Sequence, residues 1–321
     1  MGCRIAMHGG ETLRESEIIE LFIEHLKKQG DLPLGDDAGA IKLGDKWLVA
    51  TNDMLVRKTD VPDIMTPEQV GFKAVTMNVS DVSAMGAKPI GFLFSLGVPG
   101  DVNEDDLEGI AEGIEEALEF YDVPALSADT NEADDLIIDG IALGIAERLL
   151  TRSGAKPGDL VCVTGDLGRA LAGYLVWRRG LEVSEKIREA LYEKFLEPRA
   201  RVSEGIKLGR IANSAVDVSD GLSKELHLLA KMSGVRIEVE SKALPLREEV
   251  FEVASLTGLN PVELALSSGE EFELVFTIDP ERIQELNFRF SVIGKVKLGK
   301  GVYIDGVPMP VYGWEHFERN V

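Results

Sequence analysis

Residues 66–89 read T-P-E-Q-V-G-F-K-A-V-T-M-N-V-S-D-V-S-A-M-G-A-K-P, and they predict a long helix. The opening T-P-E-Q supplies a threonine N-cap, a proline in the first turn and a glutamine three residues on, which is a variant of the capping box. The helix is predicted to run to Gly86. Lys73, Met77 and Asp81 recur every four residues and therefore share one face. A carboxylate on a mostly apolar helix is unusual unless it is paired or bound to a cation.

This helix carries one of five short aspartate motifs that are surrounded by small residues. They are G-D-D-A (35–38), T-N-D-M (51–54), N-V-S-D (78–81), S-A-D-T (127–130) and D-V-S-D-G (217–221). Oxygen ligands in such surroundings suit hard divalent cations such as Mg²⁺. If the motifs converge, two bare carboxylates about 4 Å apart repel by roughly 4 kcal/mol at an effective dielectric near 20, so the group must take up protons or cations. For any single motif another explanation stays open, because aspartate also stabilises turns and helix starts.

Composition narrows the classes of partner. The chain has 321 residues, enough for two domains of ordinary size, and a formal net charge of −22. That charge argues against nucleic acid and against an anionic membrane surface as partners, so a phosphate-bearing ligand would need metal ions as mediators. No run approaches the roughly 18 apolar residues of a membrane span, and we expect a cytoplasmic protein. Cys3 and Cys162 have no paired spacing, and the four histidines show no metal-site or triad pattern.

The first half of the chain is predicted to mix helices and strands. The other elements predicted there are a helix at 15–29 that ends at Gly30, a hairpin of strands at 38–43 and 46–51, strands at 90–98, 123–127 and 136–146, and a helix capped by Asn103. In this arrangement T-N-D-M closes a strand and S-A-D-T lies between two strands.

A linker into a second domain is predicted at 151–159, T-R-S-G-A-K-P-G-D, because it is rich in glycine, proline and cations. We place the two domains at 1–148 and 149–321. The elements predicted in the second are strands at 160–164, 215–218, 235–239 and 273–276 and helices at 167–179, 186–195, 199–208 and 222–232. The predicted fold class is therefore α/β, or α+β, in two domains.

Familiar phosphate-binding motifs are missing from the sequence. No G-x-x-x-x-G-K-[ST] occurs, and no G-x-G-x-x-G follows a predicted strand. The turn at 165–168 could offer backbone N–H groups to a phosphate, although a plain strand-to-helix turn is the commoner explanation. Asp217 and Asp220 stand at a strand end and could hold one or two metal ions, and Asp220 could equally cap the next helix. Three cations flank the motifs and could neutralise phosphate oxygens: Lys88, Arg152 and Lys156.

A longer series of motifs runs through nearly the whole chain. In order they are G-D-D-A, T-N-D-M-L-V, K-A-V-T-M-N-V-S-D-V-S-A-M-G-A-K-P, T-R-S-G-A-K-P-G-D, V-D-V-S-D-G-L, S-S-G-E-E-F-E-L and G-W-E-H-F (313–317). This series resembles the thiamine-monophosphate kinases, a family of the aminoimidazole-ribotide synthetase superfamily. The resemblance implies an N-terminal α/β domain that dimerises through its sheet and a C-terminal α/β domain that closes over the nucleotide. It further implies ATP-dependent phosphorylation of thiamine phosphate to thiamine diphosphate.

Carried over by motif, the resemblance implies a role for each part of the site, with no catalytic acid, base or nucleophile among the side chains. The implied Mg²⁺ ligands are Asp37, Thr51, Asn52, Asp53, Asp81, Asp129 and Asp217, with Asp220 as a further one. The implied ATP contacts are Ala128, Asp129, Arg152 and Ser219. On the thiamine side, Glu270 would act through charge or hydrogen bonding, Trp314 would stack, and Asp60 stands where the family has a substrate-contacting histidine.

The sequence departs from the family pattern at some of these positions. The family commonly has threonine where Asn52 stands, G-G-D-T is reduced to Ala128-Asp129, and S-G-G-E-D-Y becomes S-S-G-E-E-F. These changes are compatible with metal binding, whereas the replacement of histidine by Asp60 puts the details of substrate contact in question.

The reaction implied is in-line transfer of the γ-phosphoryl group of ATP to the phosphate of thiamine phosphate, without a covalent intermediate. The acceptor is ionised near neutral pH, so no strong general base is needed. Two alternatives stay open. One is another ATP-using enzyme of the superfamily, and the other is a non-catalytic module that binds divalent cations. The ligands of such a module should cluster at close loop spacing, whereas these motifs are spread over about 180 residues.

Overall fold

The computed structural model describes residues 15–32 and 34–314. Cys3, His8, His316 and Phe317 lie outside these residues. Within the described ranges no helix is both long and apolar enough to cross a membrane. The described chain forms two sheets of five and seven strands, each with helices packed against it, so the α/β fold predicted from the sequence is confirmed.

The first sheet is built from the first half of the chain. Its strands are β1 (Gly39–Leu43), β2 (Lys46–Val56), β3 (Lys88–Val98), β4 (Ala125–Glu132) and β5 (Ile137–Ala146), and the helices are α1 (Glu15–His25), α2 (Arg57–Asp60), α3 (Pro67–Ala84) and α4 (Glu104–Tyr121). The strand order is β1-β2-β5-β3-β4, and only β3 and β4 are parallel neighbours. Helix α3 packs against β2, β3 and β5 and against α4.

Helix α3 begins where the sequence predicts. The Thr66 hydroxyl accepts from the backbone N–H of Gln69, and the Gln69 side chain accepts from the Thr66 N–H, which completes the capping box. The helix ends at Ala84, two residues before the predicted Gly86. Glycine allows α4 to approach closely, since a Cβ on Gly113 would lie 1.8 Å from the Glu68 carbonyl oxygen.

The second sheet is built from the second half of the chain. Its strands are β6 (Leu160–Thr164), β7 (Ser214–Asp217), β8 (Arg236–Val239), β9 (Leu274–Ile278), β10 (Phe290–Lys297), β11 (Gly301–Ile304) and β12 (Val307–Pro308). Its helices are α5 (Arg169–Arg179), α6 (Glu185–Leu196), α7 (Val202–Ile211), α8 (Leu222–Ser233), α9 (Glu248–Thr257) and α10 (Pro261–Ser267), with short 3₁₀ turns at Ser241–Ala243 and Pro280–Glu285. The strand order is β12-β11-β8-β10-β6-β9-β7. Helix α3 also contacts α7 and β7, so it joins the two halves.

Three predicted boundaries in the first half are wrong. Helix α1 ends at His25 rather than Gln29, because the chain must turn so that Leu32 can bridge to Ala40. Strand β2 continues through T-N-D-M to Val56, because it pairs with β5 along that whole length. Strand β4 includes S-A-D-T, because those residues pair with β3. The domain division between residues 148 and 149 stays a prediction, and it falls between the two sheets.

Candidate active site

Strand alternation decides which part of T-N-D-M faces helix α3. Successive side chains of a strand point to opposite faces. Thr51 donates from its hydroxyl to Asp81 Oδ2 at 2.6 Å, so Thr51 and Asp53 share the α3 face of β2. Asn52 is exposed on the other face. The backbone N–H of Asp53 is held by the side-chain oxygen of Asn78 at 2.9 Å, which ties β2 to α3 at this point.

Three aspartates from remote segments meet beside α3. Asp37 lies just before β1, Asp81 lies in the last turn of α3, and Asp217 is the last residue of β7. One carboxylate oxygen from each lies within 4.8 Å of the others. Asp37 Oδ2 and Asp217 Oδ1 are buried and have no hydrogen-bond partner in the structure. We call Asp37, Asp81 and Asp217 the acidic cluster.

Burial and mutual repulsion shift the titration of the acidic cluster. Burial raises the pKa of Asp37 to about 8, against the opposing charge of Arg152, and the Asp217 charge raises it further. Burial also raises the pKa of Asp217 to about 6, although the Ser80 hydroxyl and Arg152 oppose the change. The pKa of Asp81 is raised well above its usual range, first by burial and then by the charges of Asp53 and its cluster neighbours. Without a bound cation, the acidic cluster therefore retains protons at a pH where exposed aspartates are ionised.

Arg152 is the main cation at the acidic cluster. It comes from the segment between the two sheets, and its guanidinium donates to Asp37 Oδ1 from Nε at 3.1 Å and from Nη2 at 2.7 Å. Its backbone N–H donates to Asp36 Oδ1 at 3.0 Å. Burial alone would lower the pKa of Arg152. The charge of Asp37 and the hydrogen bonds to it outweigh burial, so the pKa of Arg152 is raised. One arginine cannot balance the three carboxylates of the acidic cluster when all are ionised.

Hydroxyl and amide groups on α3 fix the positions of the aspartates. The Ser80 hydroxyl donates to Asp217 Oδ2 at 2.6 Å across the junction of the two halves. Asn78 donates from its amide to the Ala74 carbonyl at 3.0 Å, which holds the side chain that binds Asp53. The N-V-S-D motif of α3 therefore contacts both β2 and β7. Ser80 was not among the predicted site residues.

The structure adds a buried carboxylate beside the acidic cluster that the sequence did not reveal. Glu225 in the first turn of α8 is buried, and its Oε2 has no hydrogen-bond partner. Burial raises the pKa of Glu225 well above its usual range, and the Arg152 charge opposes that shift, while Asp220 and Asp217 add to it. No motif marked this residue, because glutamate in a first helical turn is common as a partner of the helix dipole.

The predicted thiamine contacts lie on a second group of segments. The backbone N–H of Glu270 donates to the Ser219 carbonyl at 2.7 Å, and the N–H of Trp314 donates to the Asp220 carbonyl at 2.9 Å. The D-V-S-D-G segment therefore anchors both. Trp314 is 46% exposed. The alternative role of Asp220 as a helix cap is wrong, since Gly221 is the N-cap of α8 and the Asp220 carboxylate pairs with Lys224 at 2.6 Å.

Lys73 connects the predicted substrate residues and was not predicted to do so. Its ammonium lies 2.5 Å from Glu270 Oε1 and donates to the Asp60 carbonyl at 2.9 Å. The Asp60 carboxylate accepts from the backbone N–H of Val56 at 2.7 Å, within its own segment. The four-residue spacing of Lys73, Met77 and Asp81 was the sequence signal that placed the lysine on the face of the acidic cluster.

Other predicted residues lie away from the acidic cluster in the described chain. Ala128 and Asp129 are exposed on β4, at the edge of the first sheet. Lys88 pairs with Asp122 at 3.8 Å, and Lys156 is exposed. The phosphate-binding alternative for residues 165–168 is not supported, because the N–H of Gly168 donates to Glu271 Oε1 at 2.7 Å.

A second group of buried charges lies within the second half. Glu273 accepts from Lys194 at 2.7 Å, from Arg201 at 2.6 and 2.7 Å and from the Thr164 hydroxyl at 2.6 Å. Although burial opposes it, the charges of Lys194 and Arg201 lower the pKa of Glu273 to about 2. We call Glu273, Lys194, Arg201 and Thr164 the paired ion cluster.

Family models cover most of the chain. The model of the AIR synthase related protein, N-terminal domain, matches residues 35–146, and that of the AIR synthase related protein, C-terminal domain, matches residues 156–306. These two matches contain the first and second sheets.

Individual relatives are similar over almost their whole length. A thiamine-monophosphate kinase of Pyrococcus abyssi is 57% identical over 314 residues, which is 97% of this chain and 98% of the relative. The solved structure of AaThiL complexed with AMPPCP and TMP has a TM-score of 0.90 at 34% identity and covers 97% of this chain and 100% of that one. The hydrogenase maturation protein HypE of E. coli has a TM-score of 0.69 at 20% identity, with coverage of 98% and 92%, and it shows the fold alone.

Proposed function

The chain belongs to the thiamine-monophosphate kinases of the AIR synthase-related family, and on that premise we propose how this kinase performs its reaction. The γ-phosphoryl group of ATP passes in line to a phosphate oxygen of thiamine phosphate, giving thiamine diphosphate and ADP. The observation that carries this proposal is the acidic cluster, in which carboxylates from three remote segments meet with buried oxygens that have no partner. Such a site suits a reaction in which two anions must be brought together.

The residues of the acidic cluster fit Mg²⁺. The donor set is made of oxygen atoms only, as Mg²⁺ prefers, and the partnerless oxygens of Asp37 and Asp217 can each accept a cation. Asp37, Asp81 and Asp217 would hold several ions together with the neighbouring Asp53. Bound Mg²⁺ would neutralise the phosphate charges of ATP and of the acceptor.

The protein's own groups then bind and orient the two substrates. Arg152 stands beside Asp37 with a guanidinium that suits phosphate oxygens. Glu270 offers a carboxylate to the cationic thiamine moiety, and Trp314 offers a ring on which it can stack. A proton acceptor is unnecessary, because the acceptor phosphate is ionised near neutral pH. Positioning and charge neutralisation are therefore the main contributions of the protein.

The remaining predictions from the resemblance stay proposals. We propose a homodimer formed through the first sheet, whose strands β1, β2 and β4 carry exposed apolar side chains at Ile41, Leu43, Met54 and Leu126. We further propose Asp129 and Asp220 as secondary metal contacts, Ala128, Asp129 and Ser219 as ATP contacts, and Asp60 as a substrate contact. Asn52 is not proposed as a ligand, because its side chain is exposed on the other face of β2. A cytoplasmic location and the division at residue 148 complete this set.

The test of the reaction is an ADP-release assay on the purified chain with Mg²⁺ and ATP. We expect turnover with thiamine phosphate and none with aminoimidazole precursors or with thiamine itself. Release of ADP with an aminoimidazole precursor instead would favour another enzyme of the superfamily. Tight calcium binding without turnover on any of these acceptors would favour a non-catalytic module.

The test of the mechanism follows the configuration at the transferred phosphorus. ATP made chiral at the γ-phosphorus should give thiamine diphosphate with inverted configuration, because a single in-line displacement inverts the centre. Retention of configuration would indicate two displacements, and therefore a covalent phospho-enzyme.

A further inference from the structure

We infer that Lys73 is a positioning residue for the acceptor side of the reaction. It holds the Glu270 carboxylate and the segment that ends at Asp60 in one arrangement, so that thiamine phosphate is presented to the acidic cluster. This inference deepens the proposed function and rests on it.

The burial of Lys73 is unusual for a lysine. Its side chain is 1% exposed, yet its ammonium forms an ion pair of 2.5 Å with Glu270, whose side chain is 38% exposed. A lysine is almost never fully buried unless it is paired. The pair therefore joins a buried cation in α3 to a carboxylate that solvent, and hence a ligand, can reach.

The ammonium of Lys73 binds two segments at once. Besides the ion pair, it donates to the Asp60 carbonyl at 2.9 Å. Asp60 is the last residue of α2, and Glu270 lies between α10 and β9 in the other half of the chain. Loss of the ammonium would free both segments from the helix that carries Asp81.

The backbone at Glu270 needs such support. Glu270 has a φ of 53° and Phe272 a φ of 46°, and both values lie in the left-handed region that side chains other than glycine adopt rarely. Hydrogen bonds from Glu270 N–H to the Ser219 carbonyl and from Phe272 N–H to the Val218 carbonyl fix this backbone to the D-V-S-D-G segment. Lys73 fixes the side chain.

The position of Lys73 on α3 relates the two parts of the site. Lys73 and Asp81 share a helix face and are eight residues apart, or about 12 Å along the axis. An ATP γ-phosphate at Asp81 and a thiamine moiety at Glu270 would therefore be separated by a length that rigid α3 sets. The acceptor phosphate lies between them in the proposed reaction.

Lys194 offers a matched control. It is also a buried lysine paired with a glutamate, but Glu273 is 1% exposed and no ligand can reach it. Lys194→Met and Lys73→Met each remove one buried ammonium from an ion pair. They differ in whether the partner carboxylate faces solvent.

The experiment measures KM for both substrates and kcat in the full chain with Mg²⁺ and ATP. We expect Lys73→Met to raise KM for thiamine phosphate about tenfold or more, as loss of a charge-assisted contact would, with KM for ATP changed by no more than about twofold. Lys73→Arg should recover part of the loss. Lys194→Met should lower the unfolding temperature and leave the ratio of the two KM values unchanged.

A double variant separates positioning from direct contact. Because Lys73 acts largely through Glu270, Lys73→Met combined with Glu270→Gln should raise KM for thiamine phosphate by clearly less than the product of the two single effects, with the remainder reflecting the released Asp60 segment. Additive effects would overturn the inference, and so would equal changes in both KM values or no change. If Lys73→Met does not fold, Lys73→Arg must show a smaller increase in KM for thiamine phosphate, again without a matching increase in KM for ATP. Failure of the wild-type chain to phosphorylate thiamine phosphate would instead reject the proposed function.

Discussion

The acidic cluster and the paired ion cluster both bury carboxylates, yet the protein treats them in opposite ways. At Glu273, two cations and a hydroxyl satisfy the carboxylate, and the charges of Lys194 and Arg201 lower its pKa to about 2. At Asp37 and Asp217, buried oxygens have no partner and burial raises the pKa values to about 8 and about 6. The first arrangement stabilises the fold, and the second is suited to a cation that the protein itself does not supply.

Both kinds of carboxylate are buried, so burial does not distinguish a structural carboxylate from a functional one. The presence or absence of cationic and hydrogen-bonding partners does. A buried charge whose partner is removed destabilises a protein strongly. The acidic cluster carries this destabilisation in the metal-free protein, and such an arrangement is typical of a functional site where a bound ligand offsets it. The two clusters should therefore respond in opposite directions to neutralisation and to pH, and the acidic cluster alone of the two should respond to Mg²⁺.

Neutralising the acidic cluster should have the largest effect, and it falls on activity. Asp217→Asn and Asp81→Asn each remove a charged cation ligand, and we expect kcat/KM to fall by about a hundredfold or more at saturating Mg²⁺. Without metal, the same variants should be as stable as the wild type or more so, because repulsion is relieved. Steady-state kinetics and urea unfolding in chelator test both parts. Near-normal turnover of either variant would contradict the metal assignment.

Neutralising the paired ion cluster should mainly affect stability. Glu273→Gln leaves Lys194 and Arg201 without their anion, and we expect the free energy of unfolding to fall by about 3 kcal/mol. Urea unfolding monitored by circular dichroism measures this loss. An unchanged unfolding midpoint would show that the cluster is not the structural element inferred here.

The two clusters should impose opposite dependence of stability on pH in the metal-free protein. Carboxyls of the unfolded chain ionise near pH 4, whereas folded Asp217 and Asp37 hold protons up to about pH 6 and about pH 8. Their contribution is therefore present below pH 4 and is lost as the pH rises to about 8. Glu273 contributes above about pH 4.5, and that contribution is lost as the pH falls toward about 2.

Urea unfolding in chelator at pH 5 and pH 8 measures the acidic cluster, at about 1.4 kcal/mol for each unit of pKa shift. The free energy of unfolding should be lower at pH 8, and Asp217→Asn should reduce that difference. The raised pKa values would be contradicted if the wild type were more stable at pH 8 than at pH 5 and Asp217→Asn showed the same difference.

The smallest effect should come from Asn52, which the family resemblance places among the metal ligands. Its side chain lies on the exposed face of β2, whereas Thr51 bonds to Asp81. We expect Asn52→Ala to change kcat/KM by no more than about twofold, and Thr51→Val to reduce it by about tenfold, in line with a lost hydrogen bond to a charged group. A loss at Asn52 as large as that at Thr51 would contradict the assignment by strand face.

Much of this molecule could be predicted from local sequence. The capping box at Thr66 begins α3 as predicted, and the aspartates of α3 and β7 were singled out from their small-residue surroundings. The extents of β2 and β4 could not be predicted, because pairing with β5 and β3 carries both strands through motifs that resemble turns. Glu225 and the partner of Lys73 depend on contacts between distant segments, and no local pattern encodes those contacts.

Titration calorimetry of Mg²⁺ into the metal-free wild-type chain, and into Asp81→Asn, tests the central claim most directly. We expect the wild-type chain to bind Mg²⁺ with a saturable heat, and Mg²⁺ to raise its unfolding temperature. Asp81→Asn should raise the Kd for Mg²⁺ about tenfold or more and should reduce the increase in unfolding temperature. Binding of equal strength in the wild type and in Asp81→Asn, or none in either, would contradict the assignment of the acidic cluster as the cation site.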